Sequence, residues 1–149
     1  MERTLIIVKP DAVQRGLTGE IIRRFEQRGL KIVGMKFMQV SRELAQKHYA
    51  EHEGKPFYEG LVAYITSSPV VVLALEAKNC VELARNMIGK TKPVEALPGT
   101  IRGDFGVEVG RNLVHGSDSP TSGERELALW FTPQELTGWA RVVEPWIHE

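Results

Sequence analysis

Apolar positions along the chain change period several times, and each change marks an element. Thr4–Lys9 is an apolar run closed by Pro10 and predicts a strand buried on both faces. Thr18 is a candidate cap for a helix with Ile21, Ile22 and Phe25 inward and Gly29 as its stop. Leu30–Val40 predicts a second strand, and Ser41 caps a helix to about Glu51. Phe57–Thr66 carries Leu61, Tyr64 and Ile65 on one helical face until Ser67-Ser68-Pro69 breaks it. Val70–Glu76, apolar until its end, predicts a third strand. Asn79 caps a helix with Leu83, Met87 and Ile88 inward and Gly89 closing it. Lys90–Gly110 reads as a long loop with a weak helical signal, and Asn112–His115 as the fourth strand. Thr121-Ser122-Gly123-Glu124 resembles a capping box for a helix through Trp130, and Thr132-Pro133-Gln134-Glu135 a stronger one. Trp146-Ile147 is too apolar to be left in water, so the tail packs on the body or on a neighbour.

The order βαβ, βαβ suits an α/β (α+β) fold: a ferredoxin-like sandwich, its four-stranded antiparallel sheet covered by helices on one face. No linker, repeat or low-complexity segment interrupts the 149 residues, which are expected to form a single domain over 1–149. The 42% hydrophobic and 26% charged content is that of an ordinary globular chain. Nineteen acidic and nineteen basic residues cancel, which argues against a nucleic-acid partner but not against a local cationic pocket. Cys80 is the one cysteine; it opens an apolar helical pattern and reads as a packed thiol in a reducing compartment. Leu5–Val8 is too short for a signal peptide and no run approaches a membrane span, so the expected location is cytoplasmic.

Several motifs fail on inspection. Gly89-Lys90-Thr91 resembles the end of a P-loop, but Ala84 stands where the first glycine belongs and a helix precedes it. His48 and His52 have zinc-binding spacing, yet Tyr49 replaces the glutamate of a zincin and no third ligand is evident; both are expected to face solvent. His115, Ser117 and Asp118 are too close in sequence to relay a proton as a triad, and no nucleophile elbow exists. Gly103, Gly106 and Gly110 do not fit a dinucleotide fingerprint.

The remaining residues offer parts for phosphoryl transfer, which requires cations around the moving group and in-line placement, although each taken singly is most simply a surface group. His115 ends a short apolar run inside a turn of small polar residues; taken alone it reads as a surface or hydrogen-bonded histidine, and it is the nucleophile that such chemistry would use. On pattern alone Glu126 is a solvated helix-face residue; a helix folded back onto the strand would let its carboxylate fix the imidazole. Nearby cations favour neutral imidazole and Glu126 the protonated form. Candidate cations are Lys9 at the sheet rim, Arg85, Arg102 between two glycines in a ligand-accessible loop, and Arg15.

Arg111-Asn112-Leu113-Val114-His115-Gly116-Ser117-Asp118-Ser119 resembles the signature of the nucleoside diphosphate kinases. So do Pro98-Gly99-Thr100-Ile101-Arg102-Gly103-Asp104-Phe105-Gly106 and Thr4–Gly16, and the resemblance runs nearly end to end. It implies that His115 carries phosphate on its δ nitrogen, oriented by Glu126, which Ser117 bonds. It implies that Arg85, Thr91 and Arg102 hold the β- and γ-phosphates, with Lys9 and Tyr49 near the transferred group. Lys9 and Asn112 then contact the ribose, Phe57 and Val109 sandwich the base, and Leu61 lies beside it. Stacking without base-edge hydrogen bonds tolerates every base. Asp118 holds Mg²⁺ through water, the metal arriving with the nucleotide.

The implied reaction is a ping-pong transfer between nucleoside di- and triphosphates. A catalytically silent scaffold would have no reason to keep His115, Glu126, Lys9, Arg85, Arg102 and Asn112 together. Lys90 and Lys92 depart from the family's usual loop and add charge beside Thr91. The tail through Val142–Glu149 resembles that of hexameric forms, with Pro93–Thr100 as the trimer contact; the expected assembly is a homo-hexamer, a tetramer being the runner-up.

Overall fold

The computed structural model describes all residues, Met1–Glu149. Its framework is a four-stranded sheet, β1 (Glu2–Val8), β2 (Lys31–Met38), β3 (Val70–Ala77) and β4 (Val114–Gly116), in the order β2-β3-β1-β4 with every pair antiparallel. The helices are α1 (Pro10–Gln14), α2 (Thr18–Gln27), α3 (Arg42–His48), α4 (Tyr58–Ile65), α5 (Cys80–Ile88), α6 (Ile101–Phe105) and α7 (Pro120–Trp130). The expected fold class holds. The helices differ from expectation in covering both sheet faces.

Strand alternation explains why. On central β1, Ile6 and Val8 face a core built with Phe25 of α2, Ile88 of α5 and Ile101 of α6. Leu5 and Ile7 face a second core with Ala45 of α3, Val62 of α4 and Leu127 and Trp130 of α7. A strand feeding two cores must be apolar at every position, which is the continuous run seen in the sequence.

Element ends show where local chemistry was misread. Leu17, not Thr18, occupies the N-cap position of α2, and no side chain caps it. Asn79 stands before α5 at φ 52° without capping it; the Glu2 carboxylate accepts the Val81 N–H instead, at 2.9 Å. Ser119, rather than Thr121, caps α7 by accepting the Ser122 N–H at 3.1 Å, with Pro120 in the first turn. The Thr132–Glu135 capping box forms but supports only the single turn Pro133–Glu135. Helix α3 ends at His48, followed by the turn Ala50–His52. The tail packs on the body: Thr137 N–H donates to Val33 at 2.7 Å and the Trp139 indole to Ile32 at 2.8 Å. Ile147 lies against Gly29, whereas Trp146 is 89% exposed. Cys80 is buried, and burial pushes its thiol up to about 12. No helix is long and apolar enough to cross a membrane.

Candidate active site

His115 sits mid-β4, paired with Ile7 of β1, so its backbone is fixed by the sheet. Helix α7 folds back over β1, close enough that a Cβ on Gly123 would lie 2.9 Å from the Arg3 carbonyl oxygen. That approach brings Glu126 to His115: Nε2 and Oε1 are 2.9 Å apart. Ser117 Oγ donates to the same oxygen at 2.7 Å and accepts the Leu5 N–H at 3.1 Å. Burial opposes charge on Glu126, but the His115 and Ser117 hydrogen bonds and the imidazole's charge hold its carboxyl at about 2. The glutamate is therefore ionised and buried, not a solvated helix-face residue. With Nε2 engaged, Nδ1 is the ring nitrogen left for chemistry.

A second cluster adjoins the turn before β4. Lys9 Nζ donates to Asn112 Oδ1 at 2.9 Å, and Asn112 Nδ2 donates to the Thr91 carbonyl at 3.2 Å. Arg102 is not in an open loop: it lies in α6, 3% exposed, because α6 packs against the core through Ile101. Its guanidinium donates to the carbonyls of Asn112 (3.1 Å), Gly89 (3.1 Å) and Val114 (2.7 Å), leaving two of its five N–H donors. Arg85 donates to the Gly116 carbonyl at 3.3 Å. Burial first, then repulsion from Arg102, pushes Lys9 down to about 8; burial and Arg85 push Arg102 down to about 10. Arg85, Arg102 and Lys9 thus form a mutually repelling cationic group around the strand that bears His115, an arrangement an anion would relieve.

Residues 2–136 match the sequence model of the family described as nucleoside diphosphate kinase. The chain belongs to the nucleoside diphosphate kinase family. It is 65% identical to the nucleoside diphosphate kinase of Chloroflexus aggregans and 60% identical to that of Gloeobacter violaceus, in each case over the whole of both chains. A halophilic nucleoside diphosphate kinase from Halobacterium salinarum, solved in complex with CDP, superposes at TM-score 0.97 with 51% identity, covering 99% of each chain. A family protein from Babesia bovis superposes equally well, at 0.97 with 49% identity, over 99% of this chain and all of its own. The protein is accordingly an enzyme, a nucleoside-diphosphate kinase that binds nucleotides and transfers phosphoryl groups.

Among the other positions expected from the sequence, Thr91 joins the second cluster through its carbonyl, Asp118 adjoins Arg85, and Tyr49 reaches His115 through His48. Phe57 and Val109, 51% and 53% exposed, offer open apolar surfaces. Leu61 is half-buried against the second core. Tyr49 is buried beside His48, and burial pushes its phenol up to about 12. Thr91 is exposed, and Arg15 is spent on the Phe105 carbonyl at 2.9 Å. Asp118 is exposed and lines a cleft with Arg85. Glu2 and Glu82 line the same cleft, so the carboxylates beside Arg85 are the hard oxygen donors that a divalent cation takes, and kinase chemistry generally runs with such a metal.

His48 corrects the sequence reading most. It is buried, not solvent-facing: its Nδ1 accepts the Trp130 indole N–H at 3.1 Å, and its ring meets His115 edge-on, centroids 4.8 Å apart. An indole only donates, so Nδ1 is unprotonated and the proton of the neutral ring is on Nε2. No lone pair remains free. The cluster His48, His115 and Glu126, with ligand atoms within 4.8 Å, is therefore not a metal site. Asp11 and Tyr64 were also missed; the one signal for Asp11 was an acid directly after the strand-ending Lys9-Pro10.

Proposed function

We propose that His115 Nδ1 attacks the γ-phosphorus of a bound nucleoside triphosphate. The bond from phosphorus to the β-bridging oxygen breaks, a P–N bond forms, and the diphosphate leaves. The reverse attack by a second nucleoside diphosphate completes a ping-pong cycle. The observation that carries this reading is the 2.9 Å contact of Nε2 with the Glu126 carboxylate, itself fixed by Ser117, which leaves Nδ1 as the nucleophile.

Arg85, Thr91 and Arg102 hold the β- and γ-phosphates, and Lys9 and Tyr49 stabilise the transferred group. Lys9 and Asn112 contact the ribose. Phe57 and Val109 stack on the base beside Leu61, a contact that every base can make. Asp118 would hold Mg²⁺ through water; when bound, the ion offsets phosphate charge. The chain acts as one domain over 1–149, in the cytoplasm, as a hexamer.

The test mixes the protein with γ-labelled ATP and Mg²⁺ without acceptor. The expected label is acid-labile and base-stable, is absent in His115→Ala, and discharges onto any added nucleoside diphosphate. A folded, nucleotide-binding protein that takes no label would overturn the mechanism.

A further inference from the structure

The turn leading into β4 is gripped by a residue that no role above employs. Leu113, fully buried, has φ 76°, and across it the Val114 N–H donates to the Asn112 carbonyl at 2.9 Å. This three-residue turn with positive φ is a rare and strained form. Asp11 holds it: Oδ2 accepts the Leu113 N–H at 3.1 Å, while Oδ1 accepts the Tyr64 hydroxyl. Lys9 holds the other side, its backbone N–H donating to the Leu113 carbonyl at 2.9 Å and its Nζ to the Asn112 side chain. Tyr64 is itself flanked by cations, with Lys9 Nζ 5.6 Å and the Arg111 guanidinium 4.7 Å from its ring centroid.

We propose that Asp11 is a positioning residue for phosphoryl transfer: anchored by Tyr64, it fixes the Leu113 turn and thereby holds the Lys9–Asn112 pair against the strand that carries His115. The proposal rests on the roles given to Lys9 and His115 above. Two donors, a phenol and an amide, converge on Asp11, so both of its outer atoms must accept. An asparagine satisfies one donor and turns its own N–H₂ on the other.

The carboxylate has a second effect. The charged and titratable groups around Lys9 are Arg102 from α6, Asp11 from α1, Tyr64 from α4 and the neutral His48 from α3. Burial and Arg102 disfavour the ammonium, and Asp11 is the group that favours it. Removing that charge should push Lys9 further down.

The experiment compares Asp11→Asn, Tyr64→Phe and the parent protein by kcat and KM across pH 6–10, with thermal midpoints measured alongside. Asp11→Asn should lose about 10- to 100-fold in kcat, with a smaller change in KM, because displaced groups lose in-line geometry. Its alkaline limb should also move to lower pH. Tyr64→Phe keeps the charge and should lower kcat less, with the limb unmoved. A purely structural Asp11 would lower the thermal midpoint but leave kcat and the limb in place at temperatures where the variant is folded, and that result overturns the proposal. If Asp11→Asn does not fold, Tyr64→Phe decides: an unchanged kcat overturns it. Failure of the phosphohistidine reading would appear separately, as label that persists in His115→Ala.

Discussion

The Trp130 indole donates to Nδ1 of His48 over 3.1 Å, and this bond fixes which form of the imidazole stands against His115. His48 cannot gain a proton without losing the Trp130 bond or charging inside the core. Burial first, then the charge of His115, pushes it from 6.5 down to about 3. A neutral neighbour of fixed orientation would support the nucleophile proposed above without competing for its proton.

That depressed basicity sets a sign for acid stability. Between pH 6.5 and about 3 the unfolded chain binds a proton at His48 that the folded chain refuses. The stabilisation is complete above 6.5 and is lost as pH falls, by up to about 1.4 kcal/mol per unit. The urea midpoint should therefore decline from pH 6.5 downward. His48→Gln, whose amide oxygen can take the indole N–H, should flatten that decline. A parent midpoint constant between pH 6.5 and 4.5 would sink the argument.

Glu126 opens a second, lower window. Burial notwithstanding, its carboxyl is held from 4.5 down to about 2 by His115 and Ser117, so it stabilises the fold above 4.5 and that contribution is lost as pH falls toward 2. Glu126→Gln should remove this lower part of the acid dependence. It should also slow the proposed phosphorylation of His115 by up to about 10⁴-fold, the loss that follows when the carboxylate orienting a catalytic imidazole becomes an amide. Single-turnover labelling reads the rate; an unchanged rate would return Glu126 to a structural role.

Legibility in the sequence followed the range of the forces involved. The buried β1 run, the αβ alternation and the small-polar turn around His115 are local patterns, and they located the sheet and the strand that bears the site. Fourth-strand boundaries shifted from Asn112–His115 to Val114–Gly116 because Leu113 adopts positive φ, which no propensity assigns to leucine. His48 was misplaced because its partner Trp130 is 82 positions away. Arg102 was misread because glycines on either side resemble a loop, while the burial of Ile101 and the Thr100 cap turn the segment into α6. Asp11 and Tyr64 matter only through contacts 53 and 102 positions distant, beyond any periodicity.

Lys90 and Lys92 flank Thr91, and all three are exposed. Neither ammonium has a hydrogen bond or ion pair within the chain, so their charge acts on an approaching nucleotide through solvent. Such attraction is screened over about 10 Å at 0.1 M salt. Nucleotide binding should weaken as salt rises, and Lys90→Gln with Lys92→Gln together should flatten that response. Equal slopes for the double variant and the parent, measured by titration calorimetry, would remove the lysines from the argument.

Assembly has its own reading. Val94 and Leu97, 86% and 73% exposed, project from the Pro93–Thr100 loop, and Met35 and Phe37 are exposed on the edge strand β2. In the hexamer proposed above, two separate apolar surfaces would let one contact build trimers and the other pair them. Light scattering should give six chain masses. Leu97→Glu should lower that value while leaving the edge-strand contact intact. Four chain masses for the parent would decide for the tetramer.

Leu113 offers a test in which two forces oppose. Leu113→Ala and Leu113→Gly both empty a fully buried site, at about 2–5 kcal/mol for the lost side chain. In an ordinary helix or strand, glycine would be the worse replacement by about 0.5–1 kcal/mol. Here φ is 76°, a conformation that costs a residue with a Cβ about 1–3 kcal/mol and glycine almost nothing. The order should therefore invert, with Leu113→Gly exceeding Leu113→Ala in urea midpoint. If Asp11 and Lys9 hold the turn, both variants should keep the strained geometry and the inversion should appear. Were the turn set by leucine packing alone, the emptied site would let the backbone relax to negative φ, and alanine would be the more stable of the two.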